Sequence, residues 1–334
     1  MTPIPPLTPP ALEEIQAARK RIAGVASRTP LLRLAPRAGE VELWLKPENL
    51  QPVGSFKIRA AASALGRLPR AALARGVYTA SAGNMAQGVA WWAREAGVPC
   101  AVVIPDGAPQ AKRDAIERLG ARLIPVPFER WWRVLVERQY EGLDGHFVHP
   151  VSDPAVIAGN ATIGLEILED LPQAAAVFVP YGGGGLSCGI AAALRASGSR
   201  ARVFACEIET AAPLAASLAA GAARAIEYRA SFVDGIGGRS VLEEMWPLAS
   251  ALLSGSCVVT LEETAAAIRQ LVARAHIVAE GAGATSLAAA LAGRPGLGPR
   301  GSTVTFPAGP LVCVVSGGNL DPSTLATILE DRLP

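Results

Sequence analysis

Between residues 76 and 141 the sequence repeats one figure three times, a short strand-like apolar run followed by an amphipathic helical segment. Strand patterns at 76–80, 100–104 and 122–126 alternate with helical patterns at 85–96, 109–119 and 128–141. Strands joined by helices of this length run parallel, because the helix carries the chain back to the starting edge of the sheet, and both faces become covered. A second series starts near residue 147, with helical patterns at 154–171, 186–196, 211–220, 262–276 and 283–291. Its strands fall at 175–180, 201–207, 257–260 and 311–315, and a helix from residue 322 closes it. The stretch up to residue 239 is irregular and 293–310 reads as a Gly/Pro loop. After a Pro-rich, extended start, a helical pattern at 11–25 and strands at 31–34 and 41–45 precede the first series and join the second sheet. The expected fold is therefore α/β, with two doubly wound parallel-sheet domains. Residues 1–65 and 146–334 form the large one, and 66–145 form a small, mobile one inserted in it.

Composition agrees with this architecture. Half of the 334 residues are hydrophobic but only 5% are aromatic, which suits Ala-rich helices packed closely on a sheet rather than an all-β core. A net charge of +2, with acids and bases interspersed, provides no basic face for nucleic acid or an anionic membrane. Apolar runs are shorter than a membrane span, and the N-terminus lacks a basic region followed by an apolar core, so a cytoplasmic protein is expected. Five dispersed cysteines and three histidines without ligand spacing give no metal site.

Three segments carry chemistry. Gly182, Gly183, Gly184 and Gly185 leave a buried strand and enter a helix at Leu186. Successive N–H groups unobstructed by Cβ atoms, beside the positive helix end, suit a phosphate; the alternative is a tight turn. Ser187 and Cys188 occupy the places where a dinucleotide fingerprint would need glycine, and no P-loop lysine follows. The segment Ser81-Ala82-Gly83-Asn84-Met85 also leaves a strand and enters a helix. It can cap that helix or offer N–H donors to a carboxylate. Ser316 ends the last strand at the same edge. Lys57 lies at a helix start, where the macrodipole disfavours a cation. It is either a solvated first-turn residue or an amine whose pKa is lowered by burial and the helix end.

Taken together, Gly54-Ser55-Phe56-Lys57, the Ser81 loop, His149-Pro150, residues 153–159, Thr162-Ile163-Gly164, the glycine turn, residues 280–284 and Ser316-Gly317-Gly318-Asn319 resemble the fold-type II pyridoxal-phosphate enzymes. These share the fold of the tryptophan synthase β-subunit, and the match is to their threonine/serine dehydratase and serine racemase group. The resemblance implies that Lys57 holds pyridoxal 5'-phosphate and removes the substrate α-proton. It implies that Phe56 packs on the cofactor ring, Asn84 bonds its phenolic oxygen, Gly182 to Leu186 bind its phosphate and Ser316 faces its ring nitrogen. The loop Ser81, Ala82, Gly83, Asn84 and Met85 would bind the substrate. The implied reaction is β-elimination from a β-hydroxy amino acid, giving a 2-oxo acid and ammonia, in a homodimer. L-Threonine, L-serine, 3-hydroxyaspartate and 3-phenylserine are the substrates considered.

Several positions depart from the family pattern. Ala82 replaces the serine that racemases use as a base on the second face, which favours a dehydratase over a racemase. Met85 replaces a usual histidine, Asn160 a usual glutamine, and Tyr181 a smaller residue, so a bulkier substrate is expected. Glu207 keeps one acid of the cation site of some relatives, but Pro213 stands where a later one is expected, and no metal is expected. A C-terminal regulatory domain, and with it feedback inhibition, is not expected. The alternatives are a racemase or β-replacement enzyme of the same fold, and a non-catalytic amino-acid sensor.

Overall fold

The computed structural model describes residues 6–36 and 41–334; part of the Pro-rich start, expected to be extended, lies outside them. Among the described residues the larger sheet has eight strands. Their order is Leu32–Arg33, Leu43–Pro47, Leu311–Val315, Ala176–Pro180, Arg202–Ile208, Gly255–Val259, Gly296–Leu297 and Thr303–Val304. The five from Leu43–Pro47 to Gly255–Val259 are parallel, and the flanking short strands are antiparallel. Every residue of Ala176–Pro180 and Leu311–Val315 is buried, as a strand covered on both faces requires. Alternation sends Phe178, Phe204, Cys313 and Val315 to one core and Val177, Val179, Val203 and Val314 to the other.

The smaller sheet has four parallel strands in the order Arg122–Val126, Cys100–Pro105, Val77–Ala80, His146–Phe147. Its last strand pairs with Val77 and Tyr78, so the smaller sheet reaches past residue 145. The helices Lys57–Leu65, Asn84–Glu95 and Pro154–Asp170 pack where the two sheets meet. Close approach there depends on Gly88, since a Cβ would lie 2.9 Å from the Lys57 carbonyl oxygen.

Several elements differ from expectation, among them a four-residue helix Arg70–Leu73 where none is expected. The helix starting at Phe128 stops at Glu137, because Arg138 turns left-handed at φ 57° and its guanidinium bonds Ser152. A helix Trp246–Leu252 lies in a stretch assigned no element; it is short and contributes only Leu248 and Ala249 to the core. The Gly/Pro loop contains the antiparallel pair Gly296–Leu297 and Thr303–Val304, too short to show a periodic pattern. No helix among the described residues is long and apolar enough to cross a membrane.

Candidate active site

Lys57 opens the helix Lys57–Leu65, and the chain reaches it by docking on the last strand of the large sheet. Phe56 N–H donates to the Ser316 carbonyl at 3.0 Å, and Ser55 bridges Gly317. Lys57 Nζ donates to the Pro150 carbonyl at 2.8 Å and stands 5.1 Å from the Phe56 ring centroid. Burial lowers its pKa to about 8, so an appreciable fraction is neutral amine near neutral pH. Only partly covered by surrounding atoms, it stays open to the cleft.

Beneath the lysine lies a buried cluster of four charges. Arg59, 1% exposed, donates to Glu48 at 2.8 and 2.9 Å and to Glu166 at 2.6 and 2.8 Å. Lys46 Nζ donates to Glu166 at 2.6 Å and to the Thr29 carbonyl at 2.7 Å. Two cations face two carboxylates, so the cluster is neutral while tying the lysine helix to the strand Leu43–Pro47 and the helix Pro154–Asp170. Burial of such charges is tolerated only when each is paired and hydrogen-bonded.

The glycine turn forms the wall next to Lys57. A Cβ on Gly183 would lie 2.6 Å from both Val151 methyls, and Gly184 turns left-handed at φ 92° before the helix Gly185–Ala196 begins. Val151 follows Pro150, so the residue that accepts from Lys57 adjoins the one that packs into the turn. Between them, His149 Nδ1 accepts from the N–H groups of Ser152 at 2.8 Å and Val151 at 3.1 Å, which puts the ring proton on Nε2. Burial, Arg138 and Lys57 together lower its pKa to about 3, so the imidazole is neutral.

On the facing side, Ser81 Oγ accepts from Gly83 N–H at 3.2 Å, forming the turn that starts the helix Asn84–Glu95. Asn84 Nδ2 donates to Glu280 Oε1 at 2.8 Å, and Asn319 Nδ2 donates to Asn84 Oδ1 at 2.8 Å. Ser316 ends the strand Leu311–Val315 at the cleft floor.

One cavity of about 840 Å³ takes in every residue to which the resemblance assigns a cofactor or substrate role. Phe56 and Lys57 border it, with Ser81, Ala82, Gly83, Asn84 and Met85, the glycines 182–185, Leu186 and Ser316. Three departures from the family pattern lie under this surface rather than across it. Met85 borders the cavity but is 1% exposed and packs among Ala60, Ala61, Ala64 and Leu65. Tyr181 is wholly buried behind Gly184, and Asn160 lies behind Gly185. Glu207 is also fully buried; it accepts from the N–H groups of Leu214 and Ala215 and from Ser256, capping the helix Pro213–Ala220. His149, Glu280 and Asn319 carry no role in the sequence reading, although each belongs to one of the family-like motifs. Two carry polar side chains next to glycine, and one precedes a proline in a loop between elements, which is the signal that could have found them.

A cleft between two α/β sheets, with a partly neutral lysine adjoining a glycine-rich turn at a helix start, is the arrangement of a class of α/β enzymes that use a phosphorylated carbonyl cofactor. The family model described as "Pyridoxal-phosphate dependent enzyme" matches residues 22–309, and the chain belongs to that family. Its cofactor is pyridoxal phosphate. The chain is 39% identical over 324 residues to an L-threonine ammonia-lyase of Geobacter sulfurreducens, covering 96% of this chain and 78% of that protein. Among solved structures, maize serine racemase superposes with a TM-score of 0.86 at 30% identity, over 97% of this chain and 98% of that one. The T.th. threonine deaminase gives 0.82 at 34% identity, over 93% of this chain and 99% of that one.

Proposed function

We propose that the protein is an ammonia-lyase acting by β-elimination on a β-hydroxy amino acid. The observation that carries this reading is the shared wall of Lys57 and the glycine turn, facing a loop in which Ala82 offers no proton carrier. The cradle fits the cofactor's phosphate: the turn has no room for a side chain at Gly183, and the helix Gly185–Ala196 directs its first N–H groups there. Asn84 and Phe56 would hold the ring, and the Ser316 hydroxyl would donate to a neutral ring nitrogen. When bound, pyridoxal phosphate supplies the electron sink that makes the substrate α-proton acidic.

Lys57 would hold the cofactor and take the substrate α-proton. The N–H groups of the Ser81 loop hold the substrate carboxylate. The C–H electron pair forms the Cα–Cβ double bond as the Cβ–O bond breaks, and the leaving hydroxyl takes the proton carried by Lys57 and departs as water. Tautomerisation to the imine and addition of water then release the 2-oxo acid and ammonia, so no external oxidant is required. The names of the L-threonine ammonia-lyase and threonine deaminase relatives support elimination. The likeness to maize serine racemase supports racemisation as the second reading, against which Ala82 weighs.

The same reading makes residues 66–145 a domain that closes over substrate and excludes water. The domain's position between two crossings of the chain supports this. A homodimer is supported by family resemblance, and a cytoplasmic setting by five cysteines that are all free. The test is incubation of the holoenzyme with L-threonine, L-serine and 3-phenylserine, assaying 2-oxo acid, ammonia and D-isomer separately. Oxo acid and ammonia in equal amounts are expected. D-isomer without ammonia would replace elimination by racemisation.

A further inference from the structure

The helix Phe128–Glu137 packs Trp131 and Leu135 on the small-sheet core and leaves Phe128, Trp132 and Val136 of the same apolar face exposed where it borders the lysine cavity. Phe128, Trp131, Trp132, Leu135 and Val136 share one helical face, and all five border the cavity. Only Val134 of this helix is buried, while Phe128 is 41% exposed, Trp132 37% and Val136 39%. An aromatic face of this kind normally closes a core. Here its exposed part faces open space continuous with Lys57.

Its position puts it within reach of a substrate side chain. The helix follows the strand Arg122–Val126 directly, so it starts at the carboxyl edge of the small sheet, the edge from which the Ser81 loop also leaves. Trp131 and Leu135 pack on the cluster containing Tyr78 and Ala80, and Ala80 immediately precedes Ser81. Opposite, Phe232 and Ile236 border the same space, with the Ile236 Cα 3.6 Å from where a Gly182 side chain would begin. The aromatic face, the Ser81 loop and the glycine turn thus bound a single volume.

Charge narrows what can occupy it. Beyond Lys57 the cations on the border are Lys112, held by Asp234 at 2.5 Å, and Arg118, exposed past the end of the helix Gln110–Glu117, and the exposed Arg239 stacks its guanidinium 5.3 Å from the Phe128 ring centroid. Asp234, Glu244, Glu280 and Asp321 also border the cavity. A side-chain carboxylate, as in 3-hydroxyaspartate, would meet these acids with no buried cation beyond Lys57 to receive it. The methyl group of threonine would cover little of the aromatic face, whereas a phenyl ring would cover much of it.

We propose that this face is the subsite for an aromatic substituent on the substrate β-carbon, so that the preferred substrates are 3-aryl-serines. The proposal rests on the elimination reading above. With 3-phenylserine the products are phenylpyruvate and ammonia, water leaving and returning as before.

The test compares kcat/KM of the holoenzyme for L-threo-3-phenylserine and L-threonine. At least ~10-fold preference for the aryl substrate is expected, the scale of a filled apolar pocket. In Trp131→Ala and Trp132→Ala the aryl-to-threonine ratio should fall roughly 10-fold or more, and Trp131→Phe should restore most of it. Calorimetry provides a readout independent of turnover: L-phenylalanine, which has no β-hydroxyl to lose, should bind more tightly than L-2-aminobutyrate, and Trp131→Ala should remove the difference. A preference for threonine, or equal losses for both substrates in the variants, would overturn the subsite while leaving elimination standing. Tight binding of L-phenylalanine without turnover of any hydroxy amino acid would support the subsite and refute elimination.

Discussion

Asn84 and Glu280 are hydrogen-bonded across the cleft, Asn84 Nδ2 donating to Glu280 Oε1 at 2.8 Å. The bond joins the first residue of the helix Asn84–Glu95, beside the small sheet, to the residue that precedes the helix Gly281–Ala292 on the large one. Burial pushes the Glu280 carboxyl up to about 7, with Asp234 adding to the shift and Asn84 opposing it. Near neutral pH this bridge therefore exchanges between a carboxylate and a carboxylic acid.

Glu280→Gln tests that shift on cofactor-free protein. The folded pKa of about 7 exceeds the unfolded 4.5, so the native state binds the extra proton and loses stability as pH rises between those values. The amide has no such dependence. At pH 4 the variant should match the wild type, and at pH 8 it should be more stable by about 2–3 kcal/mol, read from thermal midpoints. Equal differences at both pH values would refute the raised carboxyl.

Lys57→Met should behave oppositely with pH. The folded pKa of about 8 lies below the unfolded 10.5, so burying the ammonium destabilises the fold below pH 8, and the cost fades as pH rises to 10.5. Because the amine is partly open to the cleft, the gain in the cofactor-free variant at pH 7 should be modest, about 1–2 kcal/mol, and should vanish above pH 10.5. The variant should also lose the visible absorption of the bound cofactor. A variant that keeps that band would show that Lys57 does not hold the cofactor.

Arg59→Met removes the central cation of the buried cluster and leaves Glu48 and Glu166 with less compensation. A loss of about 3–5 kcal/mol in urea unfolding is expected. A loss below about 1 kcal/mol would mean that Lys46 and the neighbouring hydroxyls already balance both carboxylates.

Ala82→Ser places a hydroxyl on the side of the cleft facing Lys57. Conversion of L-substrate to its D-isomer should become measurable while elimination continues, as chiral chromatography of residual substrate would show. Failure to form D-isomer in a variant that still eliminates would mean that a serine at this position does not suffice as the second base.

Much of the site was legible because its requirements are local. Four glycines after a strand, a serine-glycine loop before a helix and a lysine at a helix start each name their conformation through neighbouring residues. The parallel sheets followed from alternating periods in the same way, since a period of two or of 3.6 is a property of a short segment. Met85, Tyr181 and Asn160 show the limit of this reasoning. Their identities marked them as unusual, yet their side chains pack beneath the cleft surface, because a residue one position further along a helix or loop points elsewhere.

The sequence by itself thus determined the two parallel sheets, the glycine turn and the lysine, whose geometry is fixed by contacts within a few residues. Tertiary structure alone decided which side chains meet over long separations. Arg59 finds Glu166, Asn84 finds Glu280, and the aromatic face of Phe128–Glu137 is shared between the small-sheet core and the cleft. The reason is that pairing of buried charges and covering of apolar faces are settled by how sheets and helices stack, and no local pattern encodes that stacking.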